Sequence, residues 1–255
     1  MGVMMRELTT HEMALKTELT AIRGYWVNFW DEILKLDAEF LEAYVRFSGS
    51  PFLNGVLAPV EKELILVALN ASPTHLYEPG LRAHLRNALS QGASPGQIMA
   101  VFELASTLGI QSLEVGAPIV ESDSAISEGS NETPDSTDLA TRFEESGVPW
   151  SPAYEIMGRV DPVYAAAYLR LASVAWNHKD LEMRLKELVC IAINASATHL
   201  FQPALRLHVR RALDAGVRRQ EIMEVLELVS VVGIHACITG VPILLEELQA
   251  IEESK

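Results

Sequence analysis

Two pairs of glutamate and histidine side chains have the types and positions that proton transfer requires. Glu63 and Glu187 each open the most apolar helix-forming stretch in their half of the chain. Because apolar surroundings disfavour a charged carboxylate, we expect the pKa of both glutamates to rise into the range useful for acid–base catalysis. His84 and His208 lie on apolar stripes spaced i, i+3, i+4 and i+7, which turn both rings towards the interior. Each pair could also have a purely structural role, with the glutamate as an acid favoured at a helix N-terminus and the histidine as a buried core residue.

Other polar residues near these pairs are candidates for substrate binding. His75 and His199 precede the histidine-bearing helix, in a Thr-His-Leu-aromatic loop. Arg82 and Arg206 lie on the opposite stripe of that helix. A guanidinium there is either part of a solvated, salt-bridged face or a clamp for a substrate carboxylate. The histidines match none of the compact metal motifs such as HExxH, so we predict no metal site.

The two halves of the chain are copies of one another. An offset of 124 residues carries Glu63 onto Glu187 without a gap (63 + 124 = 187), and it carries His84 onto His208 in the same way. A period this long indicates a duplicated domain rather than a solenoid unit. The connecting segment is acidic and rich in Ser, which predicts a flexible linker. The predicted organisation is a first repeat over residues 1–120, a linker over residues 121–147 and a second repeat over residues 148–255.

Each repeat has the sequence pattern of a helical bundle. The stretch EKELILVALNA is apolar nearly all round, which is typical of a helix buried in the middle of a bundle. Pro79 and Gly92 stand at the start and just past the end of the next helix, and Pro203 and Gly216 repeat the arrangement. No stretch alternates with period two for long. We therefore predict an all-α fold of two helical-bundle repeats that pack as a pseudo-dimer.

Composition excludes several classes of function. The formal net charge of -14 argues against nucleic acid as a partner. No uninterrupted apolar run has the length of a membrane span, and the N-terminal residues lack the apolar core of a signal peptide, so we expect a cytoplasmic protein with no membrane partner. The two cysteines, Cys190 and Cys237, stand singly in apolar runs, as small buried side chains do.

Most of each repeat resembles the carboxymuconolactone decarboxylase family, part of the AhpD-like superfamily. The resemblance rests on a Glu in KELILVALNA or KELVCIAINA, on a helix histidine in LRAHLRNALSQGASPGQIMAVFELA or LRLHVRRALDAGVRRQEIMEVLELV, and on a later GAP or GVP. It covers residues 44–119 and 168–243. It implies two AhpD-like bundles.

The resemblance also separates two kinds of chemistry. The alkylhydroperoxidase branch of the superfamily uses a CxxC pair, but this chain has Tyr77 and Gly80 at those positions in one repeat and Phe201 and Ala204 in the other. Since thiol chemistry needs a thiolate, peroxidase activity is excluded. The decarboxylase branch works without a cofactor on lactones that bear carboxylates, so we expect no cofactor and a small carboxylate substrate.

On this basis the leading hypothesis is a cofactor-independent enzyme that acts by acid–base chemistry on a small carboxylated or lactone-like metabolite. An Arg would hold the substrate carboxylate, and the extra histidines of the second half, His178 and His235, favour the second repeat as the active one. The catalytic candidates are Glu187, His208, His199, Glu63, His84 and His75, and the substrate-binding candidates are Arg206 and Arg82.

Two alternatives and one assembly expectation accompany this hypothesis. A catalytically silent binding or oligomerisation protein would keep the fold but pack its inward polar residues without a cavity. A metal-dependent hydrolase would use the same Glu and His cluster. Single-repeat relatives resemble symmetric trimers or hexamers, so we expect a homotrimer of this chain, equivalent to a pseudo-hexamer.

Overall fold

The computed structural model describes residues 6–24, 26–27, 29–124 and 137–254. Every regular element within these residues is helical, as the sequence predicts. Single turns of 3-10 helix at Thr107–Ile110 and Val231–Ile234 each lead directly into an α-helix. The α-helices are α1 (Thr10–Arg23), α2 (Trp30–Leu36), α3 (Ala38–Asn54), α4 (Pro59–Ala71), α5 (Glu78–Ser90), α6 (Pro95–Ser106), α7 (Gln111–Ser124), α8 (Thr137–Glu145), α9 (Ala153–Val160), α10 (Pro162–Trp176), α11 (Met183–Ala195), α12 (Gln202–Asp214), α13 (Arg219–Ser230) and α14 (His235–Glu253).

The helices form two compact units that do not follow the repeat boundaries. Unit 1 combines Met1–Pro59 with Arg219–Lys255, and unit 2 is the continuous segment Val60–Arg218. Each unit therefore contains helices from both repeats.

Unit 1 is built from α1 to α3 together with α13 and α14. Its core contains Leu19, Leu34 and Leu41, each with no exposed surface. The carboxylate of Glu224 in α13 accepts hydrogen bonds from the backbone N–H groups of Val56 (2.6 Å) and Leu57 (2.9 Å), just past the end of α3. The first and last parts of the chain are thus joined inside one unit.

Unit 2 has two deeply buried helices at its centre, α4 and α11. Residues 62–70 of α4 and 185–194 of α11 are buried on every side. This confirms the prediction made from the all-round apolar pattern. Helix α6 of the first repeat packs against α10 and α11 of the second, so helices from the two copies share one core.

The helices that carry the histidines begin and end where the sequence predicts. Both α5 and α12 have Pro in their first turn. Gly92 and Gly216, just past their ends, have φ angles of 92° and 82°. Glycine adopts these left-handed angles without the steric cost that other residues incur.

The segment between the repeats differs from the flexible linker that we expected. Its last part forms α8, and Phe143 of this helix has no exposed surface and stacks on Tyr154 at a ring-centroid separation of 5.0 Å. Leu139 and Phe143 are one helical turn apart, which gives an otherwise acidic segment one apolar side. The prediction of a flexible linker does not hold for residues 137–145, and residues 125–136 lie outside the described residues.

Two helical stretches, Pro95–Asp123 and Arg219–Glu253, have the length and apolar composition of a membrane span, with 44% and 22% of their most apolar windows buried. Neither stretch is an uninterrupted apolar run, because each contains polar residues and a 3-10 turn. Buried helices of proteins outside membranes have the same properties, so these two stretches are weak support for a membrane location.

Candidate active site

Each repeat brings its glutamate and histidine into direct contact. In the second repeat, Nδ1 of His208 lies 2.8 Å from Oε2 of Glu187, and the two residues are 7% and 1% exposed. In the first repeat, Nδ1 of His84 lies 2.7 Å from Oε2 of Glu63. The structure therefore joins the two pairs that the sequence singled out.

A tight turn between α11 and α12 makes the contact between Glu187 and His208 possible. The N–H groups of His199 and Leu200 both donate to the carbonyl oxygen of Ser196, at 2.9 and 2.8 Å. Leu200 has a φ of 48°, in the left-handed region, and Leu76 has 45° in the equivalent turn of the first repeat. The turn sends α12 back along α11, so that a histidine in the second turn of α12 meets a glutamate near the start of α11.

A guanidinium completes the second-repeat pair. Nε of Arg211 donates to Oε1 of Glu187 over 2.7 Å. An ionised carboxylate can only accept hydrogen bonds, so Nδ1 of His208 carries the proton and donates it to Glu187. Nε2 of His208 has no hydrogen-bond partner among the described residues and remains available to a substrate.

The ring of His208 is also held by an indole. Trp176 stacks on it with a centroid separation of 5.8 Å and an interplanar angle of 7°. The guanidinium of Arg211 lies 5.2 Å from the centre of the same indole. Nζ of Lys186 donates to the carbonyl oxygen of Trp176 (2.6 Å) and to that of His178 (2.8 Å), and burial lowers the pKa of Lys186. Ring and backbone contacts therefore fix the orientation of the imidazole.

His208 faces a cavity of about 250 Å³ in unit 2, which we call the second-repeat cavity. Glu187 is not among the residues of its wall and lies behind His208. The wall is formed by helices α6, α7 and α9 to α12, by the 3-10 turn Thr107–Ile110 and by the loop before α9, so both repeats contribute to it. The lining residues are Leu104, Thr107, Leu108, Ile110, Gln111, Glu114, Pro149, Trp150, Ser151, Pro152, Tyr154, Tyr168, Trp176, Cys190, Ile193, Asn194, Pro203, Ala204, Leu207 and His208.

Glu114 and two tyrosines form a hydrogen-bonded group in this wall. The hydroxyl of Tyr154 donates to Oε1 of Glu114 over 2.5 Å, and the hydroxyl oxygen of Tyr168 lies 3.4 Å from that of Tyr154. Burial raises the pKa of Glu114, against the opposing effects of the Tyr154 hydrogen bond and of His208. Burial also raises the pKa of Tyr168 to about 12 and that of Tyr154 further. Both phenols are therefore protonated at neutral pH.

His199 does not line the cavity but supports a residue that does. Its Nε2 lies 2.5 Å from Oε1 of Gln111, and Nε2 of Gln111 donates to Oδ1 of Asn194 over 2.7 Å. Nδ2 of Asn194 donates in turn to the carbonyl oxygen of Cys190 (2.8 Å). Burial lowers the pKa of His199, which favours the neutral imidazole. His199 therefore reaches the cavity through its contact with Gln111, which it holds in position.

The remaining sequence candidates lie elsewhere. Arg82 and Arg206 are on exposed faces of α5 and α12, and Arg82 forms an ion pair with Glu78. Neither arginine lines the cavity, so their positions do not support the carboxylate clamp that the shared stripe suggested. Burial lowers the pKa of His75, whose ring centroid is 5.9 Å from that of Tyr77. His178 and His235 are also absent from the cavity wall.

The first-repeat pair differs from the second in its third member. Asn87 stands where the second repeat has Arg211 (87 + 124 = 211), and its Nδ2 lies 3.4 Å from Oε1 of Glu63. That distance is longer than an ordinary N–H···O hydrogen bond, and the amide of Asn87 carries no positive charge. The sequence shows that the two copies differ at this position, but only the structure shows that the differing side chain contacts the glutamate.

The described residues contain no group of three or more His, Cys, Asp and Glu side chains that could hold a metal ion. The structure gives the metal-dependent alternative no supporting observation. Cys190 lines the cavity as a free thiol, and burial raises its pKa well above the ordinary value.

Comparisons with known proteins agree with the fold and with the duplication. The sequence profile of the Carboxymuconolactone decarboxylase family matches twice, at residues 38–117 and 162–240. The chain is similar to a protein from Burkholderia xenovorans LB400 that is provisionally named a gamma-carboxymuconolactone decarboxylase subunit. The crystal structure of that protein superposes on this chain with a TM-score of 0.86. The two proteins are 36% identical over 94% of this chain and 98% of the other. A search of curated proteins finds no match.

Proposed function

Because this chain belongs to the carboxymuconolactone decarboxylase family, we propose that its second-repeat cavity is the active site of a cofactor-independent enzyme. The enzyme transfers protons on a small lactone or carboxylated metabolite, and His208 is the group that exchanges the proton. The observation that carries this proposal is the cavity itself, since Nε2 of an oriented, carboxylate-backed histidine is available at its wall.

The roles follow from the contacts. Glu187 holds the proton of Nδ1 in place and stabilises the imidazolium that forms when Nε2 takes up a proton, as the acid of a catalytic triad does. Arg211 places a positive charge beside Glu187 and fixes the direction of its carboxylate through a hydrogen bond. In a decarboxylation, the C–C bond breaks as carbon dioxide leaves, the electron pair remains as an enolate, and Nε2–H of the imidazolium delivers the proton to carbon.

The enolate oxygen needs a hydrogen-bond donor, and the wall offers one. The hydroxyl of Tyr168 is 3.4 Å from that of Tyr154, a long contact that a substrate oxygen can replace. Since its raised pKa keeps Tyr168 protonated, it donates to an oxygen that gains charge during the reaction.

A catalytically silent protein with the same fold is the competing interpretation. Such a protein would bury the glutamate and histidine in a packed, dry core. A polar cavity at His208 favours the enzyme. No comparable observation favours the silent alternative.

The test is a comparison of the two repeats. The full chain is incubated with a panel of carboxylated and uncharged γ-lactones, and products are followed by NMR. We expect His208→Ala and Glu187→Gln to reduce turnover by about 10²- to 10⁴-fold, and His84→Ala to reduce it far less. If His208→Ala and Glu187→Gln melt at lower temperature yet turn over normally, the pair is structural.

We also propose that the chain assembles with itself, as a homotrimer. The Burkholderia protein is named as a subunit. In this chain α14 has no buried residue over its 19 residues, and Leu244, Leu248 and Ile251 are 42–52% exposed on one stripe. An exposed apolar stripe of this kind is typical of a protein–protein contact.

A further inference from the structure

We infer that Glu114 binds a substrate carboxylate in the second-repeat cavity, and that it does so in its protonated form, so that the two carboxyl groups share one proton. The inference rests on the proposed function in taking this cavity as the substrate site. It concerns a carboxylate that the reaction leaves in place, because a shared proton would hinder the loss of carbon dioxide from the group that holds it.

The cavity wall contains no permanent positive charge to pair with a carboxylate. Its lining residues, which all belong to the described part of the chain, include no Lys or Arg. The guanidinium of Arg211 donates to Glu187 and lies against the indole of Trp176. A carboxylate that leaves water without a partner is strongly disfavoured. A carboxylate bound here therefore needs a hydrogen-bond donor of another kind.

Glu114 has one carboxyl oxygen that is occupied and one that is available. Oε1 accepts a hydrogen bond from the hydroxyl of Tyr154 over 2.5 Å. Oε2 has no hydrogen-bond partner among the described residues, and the side chain lies in the cavity wall. A protonated carboxyl group is a donor through one oxygen and still accepts through the other. With its proton on Oε2, Glu114 donates to a bound carboxylate while the bond from Tyr154 holds it in place.

The surroundings of Glu114 favour the uptake of that proton. Burial raises its pKa, and the hydrogen bond from Tyr154 and the nearby His208 oppose the shift only in part. A carboxylate that binds beside it raises the pKa further, because two adjacent carboxylates cannot both stay ionised and instead share one proton, as in the aspartic-protease pair. Binding of a carboxylate is therefore coupled to the uptake of a proton from solution.

Four helices bring other titratable groups to the wall around Glu114, whereas α6, the 3-10 turn and the loop before α9 bring none. Tyr154 of α9, Tyr168 of α10 and Cys190 of α11 are protonated at neutral pH, because burial raises the pKa of each. His208 of α12 can also gain a proton, through Nε2, when an anion binds. The experiment therefore has to separate Glu114 from His208.

Two saturated ring compounds of the same shape test the inference without turnover. The probe is γ-butyrolactone-γ-carboxylate, and its uncharged counterpart is the corresponding carboxamide. In the probe the ring carbonyl is not conjugated with the carbon that carries the carboxylate, so loss of carbon dioxide would leave no enolate. Binding of each compound to the full chain is measured by isothermal titration calorimetry between about pH 6 and about pH 8. Buffers of different ionisation enthalpy give the number of protons taken up.

For the parent chain at about pH 8 we expect nearly one proton to be taken up for each carboxylate bound and none for the carboxamide. The affinity for the carboxylate should fall by up to about tenfold for each pH unit above the pKa of Glu114, because each molecule bound requires a proton.

Two substitutions at Glu114 separate its proton from its hydrogen bond. Glu114→Gln should bind the carboxylate without proton uptake and equally well across the pH range, because its amide nitrogen donates at every pH while its oxygen still accepts from Tyr154. Glu114→Leu has no donor, and at about pH 6 it should bind the carboxylate at least about tenfold more weakly than the parent chain. Glu121→Gln, at an exposed acid on the same helix, should behave as the parent chain does.

Three results would overturn the inference. Failure of the parent chain to bind the carboxylate, or binding without proton uptake, would show that no shared proton holds it. Proton uptake that persists in Glu114→Gln would assign the proton to His208. Equal affinity of Glu114→Leu and the parent chain for the carboxylate would show that Glu114 is not its partner. A failure of His208→Ala to reduce turnover, by contrast, would leave these binding results unchanged and would contradict the proposed function alone.

Discussion

Arg211 binds the carboxylate of Glu187 through Nε over 2.7 Å, in a contact that the first repeat lacks. Asn87 occupies the equivalent position there. Arg211→Asn therefore converts the second-repeat pair into the arrangement of the first. We expect a loss of about 1.5–3 kcal/mol in the free energy of unfolding, the usual range for a hydrogen bond to a charged group. Turnover should fall by roughly 10- to 100-fold because the imidazole loses its fixed orientation.

Chemical denaturation and the lactone assay measure these two effects. Arg210→Asn is the matched control, since Arg210 is the exposed neighbour on the same helix. If the two variants behave alike in turnover, Arg211 has no part in orienting the pair.

The buried carboxyl of Glu114 should make stability depend on pH. Burial raises its pKa above the ordinary value of 4.5. Between the unfolded pKa and the raised folded pKa, the folded state keeps the proton that the unfolded state has lost, so the contribution of this group to stability falls as pH increases through that window. Above the folded pKa the contribution is constant.

Glu114→Gln removes this titration while its oxygen can still accept from Tyr154. We expect the stability of the variant, relative to the parent chain, to rise from pH 4 towards neutral pH and then to level. Denaturation midpoints at several pH values measure this, with Glu121→Gln for comparison. A difference between variant and parent that stays flat across the range would contradict a raised pKa.

The exposed stripe of α14 predicts a concentration-dependent assembly. Light scattering of the parent chain should give about three times the chain mass of 28.1 kDa (3 × 28.1 = 84.3). Leu244→Ser combined with Leu248→Ser should shift the mass towards 28.1 kDa, because it removes apolar surface from the contact. An unchanged far-ultraviolet circular dichroism spectrum would show that the helices remain.

A single-chain mass for the parent at micromolar concentration would rule out the assembly. A trimer that survives the double substitution would place the contact on another surface.

The fold was largely predictable because the helices that the sequence pattern indicates are also the ones that the structure forms, with the predicted faces buried. The all-round apolar pattern of α4 and α11, and the Pro and Gly residues that bracket α5 and α12, are properties of neighbouring residues. The inward turn of His84 and His208 follows from helical periodicity in the same way. The helix at 137–145 was missed because its apolar side consists of few residues within an acidic segment.

The site was predictable only in part, because its members come from separate helices. Glu114 and Tyr154 are 40 residues apart and meet because α7 packs on α9, which no local pattern indicates. The sequence favours Arg82 and Arg206 as substrate-binding residues because both repeats have an arginine at this position. The guanidinium that contacts Glu187, however, is that of Arg211. The first repeat has Asn87 at the position equivalent to Arg211, so the residues that the two repeats share do not include this arginine.

The division of the chain into units has a consequence for its synthesis. Unit 1 needs both Met1–Pro59 and Arg219–Lys255, and the bond from the Val56 N–H to Glu224 joins residues 168 positions apart. At roughly 5–20 residues per second, a ribosome takes roughly 8–32 s to make the intervening segment. During that interval the first three helices are without the C-terminal helices that complete their unit, whereas Val60–Arg218 can fold as soon as it emerges. Nascent chains stalled before Arg219 should therefore show protection from protease in the middle of the sequence and not at its beginning.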